Sequence, residues 1–299
     1  MLGIAWSFCI FLFLYLLRSP EKASSAVVES LEVCSLRLIP SLFPFMVLTN
    51  FICLTHMSDL LSLMFGRVFS VLTGLPQKGV SAFILGSVGG FPIGAVAVRN
   101  LYKNGDISSS EAAKLTAVSN NAGIAFCIGS VGTLFNDTMV GIKLWLVQFI
   151  SAVIIAIASK KGYNANISAS EGEKYKQISP RGILTAFAES VANAALSMLK
   201  ICAFAVFFGV FVKTIVSLLP QFVSAFAAAI CELTIAVRLS SEFGRVGLPI
   251  CAFALGFSGM SVHSQVASVL SDSNISLRRY FVSKLLQGIV SALIAVIFC

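Results

Sequence analysis

Charge is what this chain lacks most. Of its 299 residues only 21 are Lys or Arg and 13 are Asp or Glu, 11% in all, against about 25% in an ordinary soluble domain. With 57% hydrophobic residues and a mean hydropathy of +0.93, that scarcity excludes a soluble globular fold and implies a polytopic helical membrane protein. Histidine is limited to His56 and His263, and no set of His, Cys, Asp and Glu has metal-ligand spacing. No basic stripe interleaved with aromatics is present either. The net charge of +8 therefore suits an anionic membrane surface and the positive-inside bias rather than nucleic acid. The eight cysteines (Cys9, Cys34, Cys53, Cys127, Cys202, Cys231, Cys251 and Cys299) form no C-x-x-C pair. They read as small buried hydrophobes rather than disulfides or metal ligands.

Apolar stretches fall at about 2–17, 36–56, 79–98, 112–135, 138–159, 196–219, 221–240, 246–268 and 279–298, each near the roughly 20 residues that span a bilayer. Residues 2–17 lack a preceding basic residue and a following small-residue cleavage site, so they read as an uncleaved first membrane helix. Residues 59–75 are shorter and amphipathic. The one clear hydrophilic linker, 160–181, divides the chain into halves.

Two apolar stretches are interrupted where a membrane helix is normally uniform. One reads Phe83-Ile84-Leu85-Gly86-Ser87-Val88-Gly89-Gly90-Phe91-Pro92-Ile93-Gly94, the other Phe253-Ala254-Leu255-Gly256-Phe257-Ser258-Gly259-Met260-Ser261. In hydrocarbon a broken backbone survives only where it is buried in protein or lines a wet cavity. Paired interruptions in two halves point to a transporter's substrate site. The flanks match too: Gly74-Leu75-Pro76 with Gly247-Leu248-Pro249, and Gly105-Asp106-Ile107-Ser108 with Ser273-Asn274-Ile275-Ser276, the last pair ending in candidate N-caps. These matches favour an internal duplication. If the interrupted segments cross fully, most Lys and Arg fall on one side with the 160–181 linker, which would then be cytoplasmic. That set includes Arg18, Arg37, Arg99, Lys103, Arg278 and Lys284. If they are re-entrant hairpins, the two sides come near parity.

Glu232, in Ala228-Ala229-Ile230-Cys231-Glu232-Leu233-Thr234-Ile235-Ala236, is the most informative acid. An intramembrane carboxylate costs about 2.5–3.5 kcal/mol on insertion scales and marks a functional site by default, unless it pairs with Arg238 or Lys213. Asn120 and Asn121 interrupt another apolar stretch, either to bond substrate or to satisfy backbone. Ser258, Ser261 and Ser264 recur at i, i+3 and i+6 on one face, a spacing that also serves helix packing. Gly256-Phe257-Ser258-Gly259 matches the G-x-S-G motif of rhomboid-type proteases. Those need a His from another helix, whereas His263 lies on the same segment, about 140° around. An enzyme is not expected.

From Glu232 onward the chain resembles the last third of concentrative nucleoside transporters, in Cys231-Glu232-Leu233-Thr234-Ile235-Ala236, in Gly256-Phe257-Ser258-Gly259-Met260-Ser261-Val262-His263, and in Arg278-Arg279 before a final helix. Gly89 or Gly90 replaces that family's first acid, and Gly259 and Val262 replace its ribose-reading Asn and Ser. A nearer resemblance is to bacterial sporulation integral membrane proteins of the nucleoside-recognition, or gate-domain, class. It rests on Ile39-Pro40-Ser41-Leu42-Phe43-Pro44-Phe45, Gly89 to Gly94, Glu111-Ala112, Asn120-Asn121 and Glu232 to Thr234.

The resemblance implies an all-α polytopic membrane protein with two pseudo-repeats, each with a broken or re-entrant helix meeting near mid-membrane. The implied division is 1–17 as an N-terminal membrane helix, 18–159 as a first gate-type repeat with a connecting helix, 160–181 as linker and 182–299 as a second repeat. It implies transport of a small anionic or aromatic metabolite such as dipicolinate, linked to sporulation, in a bacterial cytoplasmic or forespore membrane. A nucleoside or nucleobase transporter and a non-transporting scaffold remain alternatives. The expected substrate-binding set is Ser87, Gly89, Gly90, Pro92, Asn120, Asn121, Glu232, Thr234, Ser258, Gly259 and Ser261. Helix N-termini at the breaks would present N–H groups to an anion, and Gly89, Gly90 and Gly259 would let it approach the backbone. The expected partners are a solute and the lipid bilayer, with a homo-oligomer left open. No cofactor is expected, and a coupling proton or sodium ion is left open.

Overall fold

The computed structural model describes Ile10, 13–55, 57–160 and 180–299, without the side chains of Pro180 and Arg181. Cys9, His56, most of the first apolar stretch and nearly all of the linker lie outside the described residues. The described chain is helical throughout. Helix α1 (Pro20–Val33) passes through a π-helical turn (Cys34–Leu38) into α2 (Ile39–Leu54). Pro40 has no N–H for the carbonyl of Leu36, which accounts for the wider turn there. Next come α3 (Met57–Thr73), α4 (Gly79–Gly89), α5 (Ile93–Lys103) and α6 (Ser109–Ser119). The short α7 (Ile124–Phe126) runs into a second π-helical stretch (Cys127–Gly132), followed by α8 (Thr138–Ala158). The second half holds α9 (Pro180–Val216), α10 (Gln221–Cys231), α11 (Leu233–Ser241), α12 (Leu248–Phe257), α13 (Gly259–Leu270) and α14 (Leu277–Phe298).

Among the described residues five helical stretches are long and apolar enough to cross a membrane: Pro20–Leu54, Thr138–Ala158, Gly182–Val216, Gly244–Leu270 and Leu277–Phe298. The burial pattern is that of a membrane protein. Leu36, Leu184, Leu218 and Ile297 are exposed, while Asn120, Asn121, Gln148, Glu232, Lys284 and Gln287 are buried. Apolar groups outside and polar groups inside suit hydrocarbon as the surrounding medium.

The two interruptions seen in the sequence are of different kinds, and there are four breaks rather than two. Helices α4 and α5 pack side by side, as do α10 and α11; α12 and α13 share no comparable packing, nor do α6 and α7. The first pair are therefore hairpins. Each leg has 9–11 residues, about 14–16 Å at 1.5 Å per residue, half of a bilayer core of about 30 Å. Their feet are tied, by Lys78 Nζ to Asp106 at 2.5 Å and by Gln221 Nε2 to Glu242 at 2.7 Å. The segments α6–α7 and α12–α13 run on through their breaks. The order of hairpin, broken helix and long straight helix thus occurs twice, closing on α8 and on α14. Stretch 83–94 corresponds in this order to the region around Glu232, and 253–261 to Asn120–Gly123.

The long α9 runs antiparallel to α1–α2, with Phe51 against Phe187 at 6.0 Å between ring centroids and Gly209 against Ser30. Helices α12 and α14 form the most extensive packed pair, and α14 also packs on α6 and α8, joining the halves. At one end Asp272 pairs with Arg99 and Lys103, and Ser109 Oγ donates to Asn274 O at 2.7 Å. At the other end Glu29 pairs with Lys213 and Arg238.

Candidate functional site at the helix breaks

Each hairpin tip is seated in the broken helix of its own half. Gly90 has φ +86, and a Cβ there would come 2.8 Å from Gly123 N; one on Gly123 would come 2.9 Å from Val88 O. In the second half Gly259, at φ +71, lies against Cys231 and Glu232, its Cβ position 3.3 Å from Glu232 N. Only a residue without a side chain lets backbones meet this closely at positive φ. Ser258 is left-handed at φ 81, a conformation that costs a non-glycine residue on the order of 1 kcal/mol.

The break at Asn120–Gly123 is held by side-chain hydrogen bonds, although Asn120 Oδ1 and Ser119 Oγ have no partner among the described residues. Gln148 grips Ala122 from both sides, accepting from Ala122 N at 3.1 Å and donating to Ala122 O at 3.0 Å. Asn121 Nδ2 donates to Val118 O (2.7 Å) and to Ser87 Oγ (3.2 Å), while Trp145 Nε1 donates to Ser87 O (3.0 Å). Asn120 Nδ2 donates to Tyr280 Oη at 3.1 Å. Lys284 Nζ donates to Asn120 O at 2.9 Å and to Gln287 Oε1 at 2.8 Å. Side chains of α8 and α14 thus satisfy three backbone groups that the unwinding orphans, Asn120 O, Ala122 N and Ala122 O.

The break at Glu232 is different. Glu232 is extended (φ −147, ψ 120) and is the N-cap of α11. Its Oε2 accepts from Ile235 N at 2.8 Å and from Thr234 Oγ1 at 2.5 Å. It is 3% exposed. Arg238 and Lys213, the partners the sequence suggested for it, pair with Glu29 instead. The sequence places Glu232 in mid-helix; it sits instead between two helices, where Gly259 packs on its backbone and its carboxylate caps α11.

Three of the breaks and the first turns of α13 contribute to one small cavity of about 40 Å³, whose lining includes Phe91, Ala122, Gly123, Glu232, Thr234, Val262 and Gln265. It adjoins a larger vestibule of about 240 Å³, with which it shares Leu38, Phe126, Ala205, Glu232 and Thr234. The vestibule mouth carries Glu29, Glu32, Arg37, Lys213 and Arg238, and both π-helical stretches border it through Arg37 and Ser130. Glu232 and Thr234 thus lie at the floor of a charged funnel, where the two hairpin tips face each other. Gly90 and Gly259 form the packing behind the cavity. Ser87, Asn120 and Asn121 are engaged in the hydrogen-bonded network of the first break. Gly89 packs on Ile93 and Thr49, and Pro92 caps α5. Ser258 Oγ reaches only Leu255 O, at 3.5 Å. Ser261 Oγ and both nitrogens of His263 are buried without a hydrogen-bond partner among the described residues, as is Gln265 Oε1.

Sequence reasoning missed Gln265, Gln148, Gln287 and the funnel charges. It counted Lys284 among the basic residues of one membrane face, whereas Lys284 is fully buried, and Arg37 lies in the vestibule. A lysine and a glutamine three residues apart inside an apolar run were signal enough to look for an interior role.

These features define a polytopic integral membrane protein whose core is built from two half-membrane hairpins and two broken helices. Comparison with known proteins finds similarity to the sporulation integral membrane protein YlbJ of Bacillus subtilis (strain 168), 22% identical over 327 residues, which covers 96% of this chain and 80% of the relative. No family model matches the chain, and no solved structure matches it.

Proposed function

We propose that this protein moves a small solute across a bacterial membrane during sporulation. The observation that carries the reading is Glu232: a buried carboxylate at a helix break, on the floor of a funnel to which both halves contribute. Broken helices that converge in this way are the usual site of substrate and ion binding in transporters built from repeats. The recurring order of hairpin, broken helix and straight helix supports two pseudo-repeats, with boundaries at 18–159 and 182–299. The similarity to a sporulation integral membrane protein supports the cellular setting, in the cytoplasmic or forespore membrane.

An anionic or aromatic metabolite such as dipicolinate suits the funnel. Arg37, Lys213 and Arg238 border it, and the N-terminus of α5, next to the cavity-lining Phe91, carries no side-chain cap, so its positive dipole end would favour a carboxylate. The N-terminus of α11 is already occupied by Glu232. A cavity of about 40 Å³ has room for a water or two, so the solute would rest in the vestibule and pass only when the hairpin tips separate. The basic groups Lys78, Arg99, Lys103, Lys160, Arg278 and Arg279 gather at the end away from the funnel mouth. Under the positive-inside bias that end is cytoplasmic and the funnel opens outward.

A non-transporting scaffold is favoured by one observation, the engagement of both ends of the Asn121 amide in bonds within the protein. Uptake into proteoliposomes decides between the readings, comparing dipicolinate with uridine, with and without a pH gradient. Uptake of dipicolinate above that of empty vesicles is expected. Preference for uridine would shift the reading to a nucleoside carrier, and uptake of neither would favour the scaffold.

A further inference from the structure

We propose that Lys284 is a tethered cation that fills a monovalent-cation site formed by the broken end of α6. Its Nζ faces three oxygens: Asn120 O at 2.9 Å, Gln287 Oε1 at 2.8 Å and Asn121 Oδ1 at 3.5 Å. All three are acceptors. An ammonium brings three protons and no lone pair, so it can donate to all three, whereas a neutral amine has two protons for the three oxygens and a lone pair that none of them would fill. Asn120 is the C-cap of α6, so the negative end of that helix dipole points at the ammonium.

The cage is oriented from behind. Gln287 Nε2 donates to Asn121 Oδ1 at 2.9 Å and to Gln148 O at 3.2 Å, which turns Gln287 Oε1 toward the lysine. No carboxylate takes part in this network among the described residues. The titratable neighbours are Tyr280, which accepts from Asn120, and His263, whose ring lies 5.1 Å from that of Tyr280. The residues that face Lys284 from α6 and its break are neutral amides. Carbonyl oxygens of an unwound membrane helix contribute to the sites at which transporters coordinate a coupling ion. Here one such carbonyl, Asn120 O, joins two side-chain amide oxygens, Asn121 Oδ1 and Gln287 Oε1, and a compact, strongly localised ammonium held by the chain itself stands among them.

The inference concerns the cage and does not require that the protein transport anything, so its test reads thermal unfolding rather than uptake. The purified full chain is melted in sodium, potassium or N-methyl-D-glucamine chloride at equal ionic strength. Wild type should melt at the same temperature in all three. Lys284→Ala, which empties the cage, should melt about 5 °C or more lower in N-methyl-D-glucamine and recover at least half of that loss in sodium, potassium or methylammonium. Lys284→Met, which fills the space without charge, should melt low in every salt. If Lys284→Ala yields no folded protein, it is expressed and extracted with and without methylammonium: recovery only with the amine supports the site, and recovery in neither overturns it. A wild-type melting temperature raised by sodium, or a Lys284→Ala protein indifferent to every cation, also overturns it.

Discussion

Replacing Glu232 separates the two roles given to it. Its carboxylate caps α11 through one oxygen, at 2.8 Å from Ile235 N and 2.5 Å from Thr234 Oγ1. Glu232→Ala removes both bonds. A lost N-cap costs about 0.5–2 kcal/mol, and a hydrogen bond to a charged group contributes about 1.5–3 kcal/mol; together the loss is about 2–5 kcal/mol. At about 2–4 °C per kcal/mol, Glu232→Ala should lower the melting temperature by about 4–20 °C. Glu232→Gln keeps an amide oxygen where the carboxylate oxygen was, so Ile235 N and the Thr234 hydroxyl retain an acceptor. A neutral amide is also easier to bury than a carboxylate. The Gln variant should therefore melt within about 3 °C of wild type, or above it.

Transport should rank the variants differently. If Glu232 carries the coupling charge at the funnel floor, Glu232→Gln loses it as completely as Glu232→Ala does. Uptake of dipicolinate into proteoliposomes should fall by about tenfold or more in both, for equal amounts of folded protein. The assay pair is unfolding by differential scanning fluorimetry and initial uptake rate, each on the same preparation. Wild-type uptake by the stable Gln variant would refute a functional role for the charge and leave Glu232 as a cap. A Gln variant as unstable as the Ala variant would refute the capping argument instead.

Gly86→Ala and Gly94→Ala would each place a Cβ under 2 Å from Ser119 O, so both should lose folded protein in detergent, as read by size-exclusion profile, while Gly129→Ala, which meets nothing within 4 Å, should match wild type. Cys34 and Cys202 lie in side-chain contact, and copper phenanthroline should cross-link them, giving a mobility shift on non-reducing gels that Cys202→Ser abolishes; no cross-link would contradict the pairing of α1–α2 with α9. Asp272 is held well below the usual carboxylate range, first by its hydrogen bond from Arg99 and then by that from Lys103. A depressed folded-state value contributes stability that is present above the unfolded pKa and fades only as pH falls through the folded one. The contacts between the α5 end and the α13–α14 turn should therefore persist at mildly acidic pH, and Asp272→Asn should raise hydrogen exchange there at neutral pH.

The parts of this architecture that local chemistry dictates were legible in the sequence. Scarce charge implies a membrane protein, clustered Gly and Pro mark the turn at Gly89–Pro92, and Ser108 with Glu111 forms the capping box that opens α6. The Glu232 break was not legible as a break, because Ala228-Ala229-Ile230-Cys231 and Leu233-Thr234-Ile235 contain neither Gly nor Pro. The chain opens there because Gly259, 27 residues on by sequence number, packs its backbone on Cys231 and Glu232. Lys284 is similar: its proximity to Arg278 and Arg279 suggests a membrane face, but its partner carbonyl is 164 residues away. Tertiary contacts of this range leave no local pattern.

The difference between a hairpin and a crossing helix is, by contrast, written in the flanks rather than at the break. Gly90 and Ser258–Gly259 all have positive φ, yet the chain reverses only at the first. What separates them is where the polar residues stand. Lys78 and Asp106 bracket α4–α5 and pair with each other; Gln221 and Glu242 bracket α10–α11 and do the same. Two apolar legs of about eleven residues, each too short to cross alone, place their polar ends on one side and bond there. Among the described residues no side-chain bond joins the two ends of α12–α13, and Asp272, just beyond it, pairs instead with Arg99 and Lys103 of the first half. Exchanging Gln221 for Lys should strengthen the second hairpin's foot through an ion pair with Glu242. At a half-exposed site the gain is about 0–1 kcal/mol. Gln221→Leu should loosen the tip that holds Glu232. Cysteines placed at 221 and 242 and bridged by oxidation would fix the foot without touching the cavity. Retained uptake in that bridged protein is expected, since only the tips need to part; its loss would mean that the hairpin opens from its foot.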